Sequence, residues 1–130
     1  MVIDDAVKKY RNGGCFAMAE ALSRLTGFPV RCIDFGNCTH AFVVSPSGTV
    51  LDIHGLMLWA DFLAFLVADG ALPAHAVADG RVVAQELPNP APILWRHLGY
   101  KVPSERAIQQ AMAVAKRHPN LAVALNDSTL

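Results

Sequence analysis

The stretch THAFVVSPSGTVLDIHG (39–55) reads as two strands folded about a turn. Pro46-Ser47-Gly48 separates two runs rich in β-branched residues, THAFVVS (39–45) and TVLDIH (49–54), which is a hairpin signal. THAFVVS is apolar on both faces, as a strand in mid-sheet would be. With 46–48 as a three-residue loop, Ser45 opposes Thr49 and Phe42 opposes Asp52. His40 and Asp52 then lie diagonally on one face, close enough for long side chains to meet, and His54 faces His40. A slip of one residue would place them on opposite faces. Asp52 shares the face of Val50, and a buried carboxylate needs a partner. Both His40 and Asp52 are expected on the face that carries the cysteine-bearing helix.

Upstream, GGCFAMAEALSRLTGFPV (13–30) has helical spacing from Cys15 to Thr26. Cys15, Met18, Ala19, Leu22 and Leu25 form one stripe, Arg24 occupies the last turn, and Gly27 is the stop. Residues 3–10 suit a short helix that ends at Asn12-Gly13-Gly14, and FPVRCID (28–34) suits an edge strand with Pro near its start. Downstream, Gly55 leads into a helix with Leu58, Trp59, Phe62, Phe65 and Leu66 on one face, ending at Asp69-Gly70. Both Trp59 and Trp95 are read as core. RVVAQEL (81–87) suits a strand, PNPAP (88–92) a rigid loop, and ILWRHLG (93–99) a short helix. The last helix is capped by Ser104, buries Ile108, Ala111, Met112 and Ala115, and stops at Pro119, with a frayed tail from Asn126. This order implies an α+β fold: a mainly antiparallel sheet packed against an N-terminal Cys-bearing helix, with added C-terminal helices.

The bulk composition narrows the function. A chain of 130 residues, 53% hydrophobic, suits one domain over 1–130 with a well-filled core. Eleven basic and eleven acidic residues balance, and no Lys/Arg cluster offers a phosphate-binding footprint, so no nucleic-acid partner is expected. Lys116-Arg117-His118 is explained by a helix C-terminus. MVIDDAVKKY does not read as a secretory signal, and Leu56 to Ala68, interrupted by Asp61, is too short to span a bilayer. Three irregularly spaced cysteines suggest free thiols and a cytoplasmic protein, or an exported effector without a signal peptide.

Cys15 follows two glycines at the first turn of a helix, where unpaired N–H groups and the positive dipole end favour a thiolate. The same donors can cradle an oxyanion, with Asn12 and Gly14 as candidates and Asn37 in reserve. The roles complement one another: Cys15 attacks, His40 moves protons, and Asp52 fixes the imidazole tautomer, with His54 the reserve base or orienter. Two blander readings compete. Cys15 can be a small core residue on its stripe. Alternatively Cys32, Cys38 and His40, with Asp52 or His54, can be set out as zinc ligands, although the spacing matches no compact knuckle. No metal and no cofactor is expected.

GGCFAMAEALSRLTGFPV, THAFVV and GTVLDIHG together resemble the core of the transglutaminase-like branch of papain-like cysteine hydrolases, as a small bacterial or phage member. The likeness covers about residues 12–55, a third of the chain. It implies a nucleophile at Cys15, a base at His40 and an orienter at Asp52. The implied activity is that of a thiol hydrolase or acyltransferase: a peptidase, a deamidase or a transglutaminase-like enzyme acting through a Cys15 thioester on a protein or peptide. Phe42 stands where many members have Trp, and Ile53 where Pro often follows the Asp. The short Cys-to-His spacing implies that any substrate-covering loop has been trimmed. From a different class comes the alternative of a non-catalytic binding or accessory protein of a phage or mobile element on the same fold.

Overall fold

The computed structural model describes residues 5–88 and 91–126, without the Asn12 side chain. The first two residues of the expected 3–10 helix, residues 89 and 90 of the expected rigid loop, and the tail beyond Asn126 lie outside the described residues. Along the chain run α1 (Asp5–Asn12), α2 (Cys15–Thr26), β1 (Val30–Phe35), β2 (Cys38–Val44), β3 (Thr49–Asp52) and β4 (Gly55–Leu58). Then follow α3 (Trp59–Ala68), α4 (Ala74–Ala78), β5 (Gln85–Glu86), a 3-10 helix (Pro92–Leu98), α5 (Glu105–Arg117) and α6 (Pro119–Leu125). The fold is α+β, with an antiparallel sheet in the order β4-β3-β2-β1-β5.

The β2–β3 turn closes as the hairpin signal requires. Gly48 takes φ +86°, Ser45 N–H donates to Thr49 O at 2.9 Å, and Val43 pairs with Leu51. β2 is the middle strand, as its two apolar faces demand. Its alternation sends Ala41 and Val43 into one core layer with Met18 and Leu22 of α2 and Ile108 and Ala111 of α5. Phe42 goes into the other layer, with Phe62 and Leu66 of α3. Small side chains at Ala41 and along α2 (Ala17, Ala19 and Ala21) let that helix pack on the sheet, and all three of these alanines are buried.

Several elements differ from expectation. TVLDIH turns after four strand residues: Ile53-His54 is a two-residue turn, and Gly55 opens β4, which delays α3 to Trp59 and leaves Leu58 exposed. Gly55 is required there. Its φ is +102°, and a Cβ would come within 3.1 Å of Asn120 O. Asn120 also donates from Nδ2 to Ile53 O at 3.1 Å, so α6 braces this turn. The helix capped by Ser104 does stop before Pro119, with His118 as its C-cap, but Pro119 opens a further helix, α6, at a position where a missing N–H costs nothing, and the His118 side chain caps it, with Nδ1 accepting from Asn120 N–H. β1 is not an edge strand because β5 pairs with it, and only Gln85–Glu86 of the expected 81–87 strand does so. Trp95 is fully buried with its Nε1–H on Pro88 O, and Trp59 packs on Phe42 and Phe62. Among the described residues no helix is long and apolar enough to cross a membrane.

Candidate active site

Gly13 and Gly14 join α1 to α2 in so short a link that Gly14 N–H donates back to Lys9 O at 3.0 Å. Gly14 O accepts from Met18 N–H, the first hydrogen bond of α2, so Cys15 stands at the first position of that helix. The Gly14 amide is therefore spent on closing α1. This corrects the expectation that it serves an oxyanion. The other backbone-region candidate, the Asn12 side chain, lies outside the described residues.

A further correction concerns the faces of the sheet. His40 shares the parity of Phe42, and its ring lies 5.8 Å from that of Phe62 on α3. His40 and Asp52 thus project on the α3 side, while α2 packs on the other face. Cys15 nevertheless reaches His40, because the sheet is split there. Ser45 N–H points at β3 and Val44 N–H points at Pro29 O on the β1 side. By alternation, Val43 and Ala41 also point toward β3. The β2–β3 pairing stops at Val43↔Leu51, so Ala41 N–H finds no strand opposite. The Cys15 sulfur takes that hydrogen bond instead, together with one from Phe16 N–H.

Burial pushes the Cys15 thiol up, but the hydrogen bond and charge of His40, helped by the Ala41 and Phe16 amides, outweigh it. The net shift is downward. Cys32 and Cys38 move the other way: burial lifts Cys32 to about 12 and raises Cys38 as well. Cys32 faces the α2 layer and Cys38 the α3 layer, so the zinc constellation does not converge. Among the described residues no cluster of His, Cys, Asp and Glu is arranged to hold a metal.

His40 Nε2 donates to Asp52 Oδ2 at 2.8 Å. Burial of His40 lowers its pKa, yet the hydrogen bonds and charges of Asp52 and Cys15 carry it up to about 9. Burial likewise raises Asp52, and its two imidazole partners, His40 and then His54, pull it well below the usual carboxylate range. An ionised Asp52 accepts only, so Nε2 carries a proton and Nδ1 is the ring nitrogen left for Cys15. Asp52 is 3% exposed, and the α3 aromatic layer around His40 keeps water from the pair. His54, expected opposite His40, holds the carboxylate rather than the thiol. Its backbone N–H donates to Asp52 Oδ1 at 2.8 Å, and its Nδ1 lies 3.2 Å from both carboxylate oxygens. Its Nε2 is buried without a partner, and its ring lies tilted against Phe65, with the centroids 4.7 Å apart.

A cavity of about 380 Å³ opens onto Cys15, His40 and His54, walled by Phe16, Phe65 and Leu66. Arg11 of α1 and Asp69 at the end of α3 form an ion pair at its rim. Asn37, from the β1–β2 turn, also lines it. The structure brings Cys15, His40 and Asp52 together and adds His54, which the sequence reading holds only in reserve. The signal for its role as a second clamp on Asp52 is the Asp-x-His-Gly run, in which a two-residue turn folds the histidine back over the carboxylate. Compared with protein-family models, with curated proteins and with solved structures, the chain matches none.

Proposed function

We propose that this chain is a thiol-dependent hydrolase or acyltransferase with a papain- and transglutaminase-like core, acting on a carboxamide of a protein or peptide. The observation that carries this reading is the arrangement around one thiol. Cys15 alone among the three cysteines is shifted toward its thiolate, and its partner His40 is held by a buried Asp52 at 2.8 Å.

The steps follow from the geometry. The Cys15 thiolate attacks the carbonyl carbon, and the carbonyl electron pair moves to oxygen. Cys15 N–H, first in α2 and without an intrahelical acceptor, meets that oxyanion. The carbon–nitrogen bond then breaks, and the leaving nitrogen takes the proton from the His40 imidazolium. A thioester on Cys15 remains. Water or an amine attacks it while His40 Nδ1 takes the incoming proton, and the sulfur leaves as thiolate. Asp52 keeps Nε2 protonated throughout, so Nδ1 stays available to the reacting atoms. Peptidase, deamidase and transglutaminase differ only in which amine leaves and what resolves the thioester.

The test is a pH series of iodoacetamide alkylation with mass-spectrometric assignment of the modified cysteine. Free Cys ionises near ~8.5, and imidazolium or helix-end neighbours lower this to roughly 3.5–7.5. Cys15 should be on its plateau at neutral pH, where His40, shifted to about 9, is still charged; Cys32 and Cys38 should be slow there. His40→Ala removes the imidazolium and leaves the helix dipole, so the Cys15 midpoint should rise part of the way back. A parent midpoint at or above the free-thiol value would return Cys15 to the core and end the enzyme reading.

A further inference from the structure

Two cavities flank the turn that presents Cys15. The first, of about 380 Å³, contains Cys15 and His40. A second, of about 340 Å³, lies beside it, and the two share Gly13, Phe16 and Lys101. Phe16 is the divider. Its ring is fixed between Trp95, at 5.7 Å, and Tyr100, at 5.3 Å.

The cations around these cavities are not alike. Arg11, in the first, is matched by Asp69. Lys101 lines both cavities and Lys9 lines the second, where its Nζ lies 5.3 Å over the Tyr10 ring. Among the described residues neither lysine has an acidic partner, and no Asp or Glu lines the second cavity. The chain as a whole is neutral, with eleven charges of each sign, so this local excess comes from placement rather than composition.

Chemistry decides which half of a substrate goes where. The leaving nitrogen receives its proton from His40, so the leaving half occupies the first cavity, which contains that ring. The second cavity does not touch His40 and lies across Phe16. Resting on the thiol reading above, we infer that the second cavity is a subsite for the acyl half of a peptide substrate carrying a carboxylate side chain, Asp or Glu. Lys9 and Lys101 supply the complementary charge, and the apolar wall of Phe16, Tyr10 and Val102 takes the side-chain stem.

Peptidyl chloromethyl ketones test this without turnover, since the Cys15 thiolate displaces chloride and leaves a thioether that intact mass reads. Three probes differ only in one acyl-side residue: Glu, Gln or Lys. The Glu probe should label about fivefold faster than the Gln probe, as an exposed charge pair would give, and the Lys probe should be the slowest. The spread should shrink in roughly 1 M salt, where charges a few ångströms apart are screened. Lys101→Glu or Lys9→Glu sets one acid against the one remaining lysine and should bring the three rates together, and the double variant should reverse the order of the Glu and Lys probes. Equal rates for the three probes at low salt, with iodoacetamide still labelling Cys15 rapidly, overturn the subsite and leave the thiol reading standing. Iodoacetamide labelling of Cys15 no faster than of Cys32 and Cys38 overturns both.

Discussion

Replacing Asp52 by Asn changes two atoms' worth of chemistry at the centre of the site and almost nothing in shape. The carboxylate accepts from His40 Nε2 at 2.8 Å, from His54 N–H at 2.8 Å and from His54 Nδ1 at 3.2 Å. In the amide one arm is still a carbonyl and keeps the His54 backbone bond. The other arm becomes an NH2 group, a donor facing a donor on His40. The ring then loses the contact, or Nε2 turns acceptor and the proton moves to Nδ1, the nitrogen left for Cys15. Charge works in the same direction. His40 stands at about 9 against an ordinary 6.5, a gap worth about 3 kcal/mol, and Asp52 heads the interactions that raise it. Without the carboxylate, burial pulls the His40 pKa back down with only Cys15 opposing it, and the imidazolium–thiolate pair weakens. Turnover should fall by about 10⁴, the scale seen when a triad carboxylate is neutralised in a serine protease. Stability should fall by only about 1–3 kcal/mol, the cost of one unsatisfied buried group. The assay is amide turnover alongside urea denaturation, with Cys15→Ser as the inactive but folded comparison. An Asn variant within tenfold of the parent, or one that unfolds while Cys15→Ser folds normally, would refute this reasoning and leave Asp52 an anchor.

Gly14→Ala keeps an allowed backbone, with φ −95°, but sets a Cβ 2.9 Å from Tyr10 Cδ1 and 3.1 Å from the Lys9 carbonyl. Tyr10 is buried and that carbonyl is held by the Gly14 amide, so the overlap should cost about 1–3 kcal/mol by thermal or urea unfolding and slow Cys15 alkylation. A variant matching the parent in both would show that the link can give. Arg24→Met strands the fully buried Glu20, whose Oε2 accepts from Arg24 Nε at 2.8 Å, and should cost about 3 kcal/mol. Glu105→Gln weakens only the exposed arm of that network and should cost far less than Arg24→Met; similar losses from the two would contradict the assignment.

The β2–β3 hairpin was legible because its two strands alternate and a Pro-Ser-Gly turn admits one register, which brings His40 to Asp52. The Cys15 helix was legible for a similar reason: its stripe, its glycine entry and the Gly27 stop are all local signals. What escaped depends on contacts distant in sequence. TVLDIHG alternates as one strand would, and only the brace from Asn120 and the positive φ at Gly55 show that it turns at Ile53-His54. Pro119 follows the end of α5 as expected, but α6 escapes because a proline in its own window does not tell the end of one helix from the first turn of the next. Val82 and Val83 suggested a strand by propensity, but only the two residues after Ala84 pair with β1. The face occupied by His40 was misplaced because pattern gives parity along a strand, and which helix covers which face is a tertiary fact.

In the split between β2 and β3, the Cys15 sulfur takes the hydrogen bond that a carbonyl oxygen would otherwise accept from Ala41. That makes the Ala41 amide a reporter of what the sulfur is bonded to. A thiolate is a strong acceptor and a thioester sulfur a weak neutral one, so acylation should loosen this one N–H while its neighbours in the Val43–Leu51 ladder stay protected. Deuterium uptake at a single backbone position would then follow the covalent state of Cys15, without a chromophore on the acylating reagent.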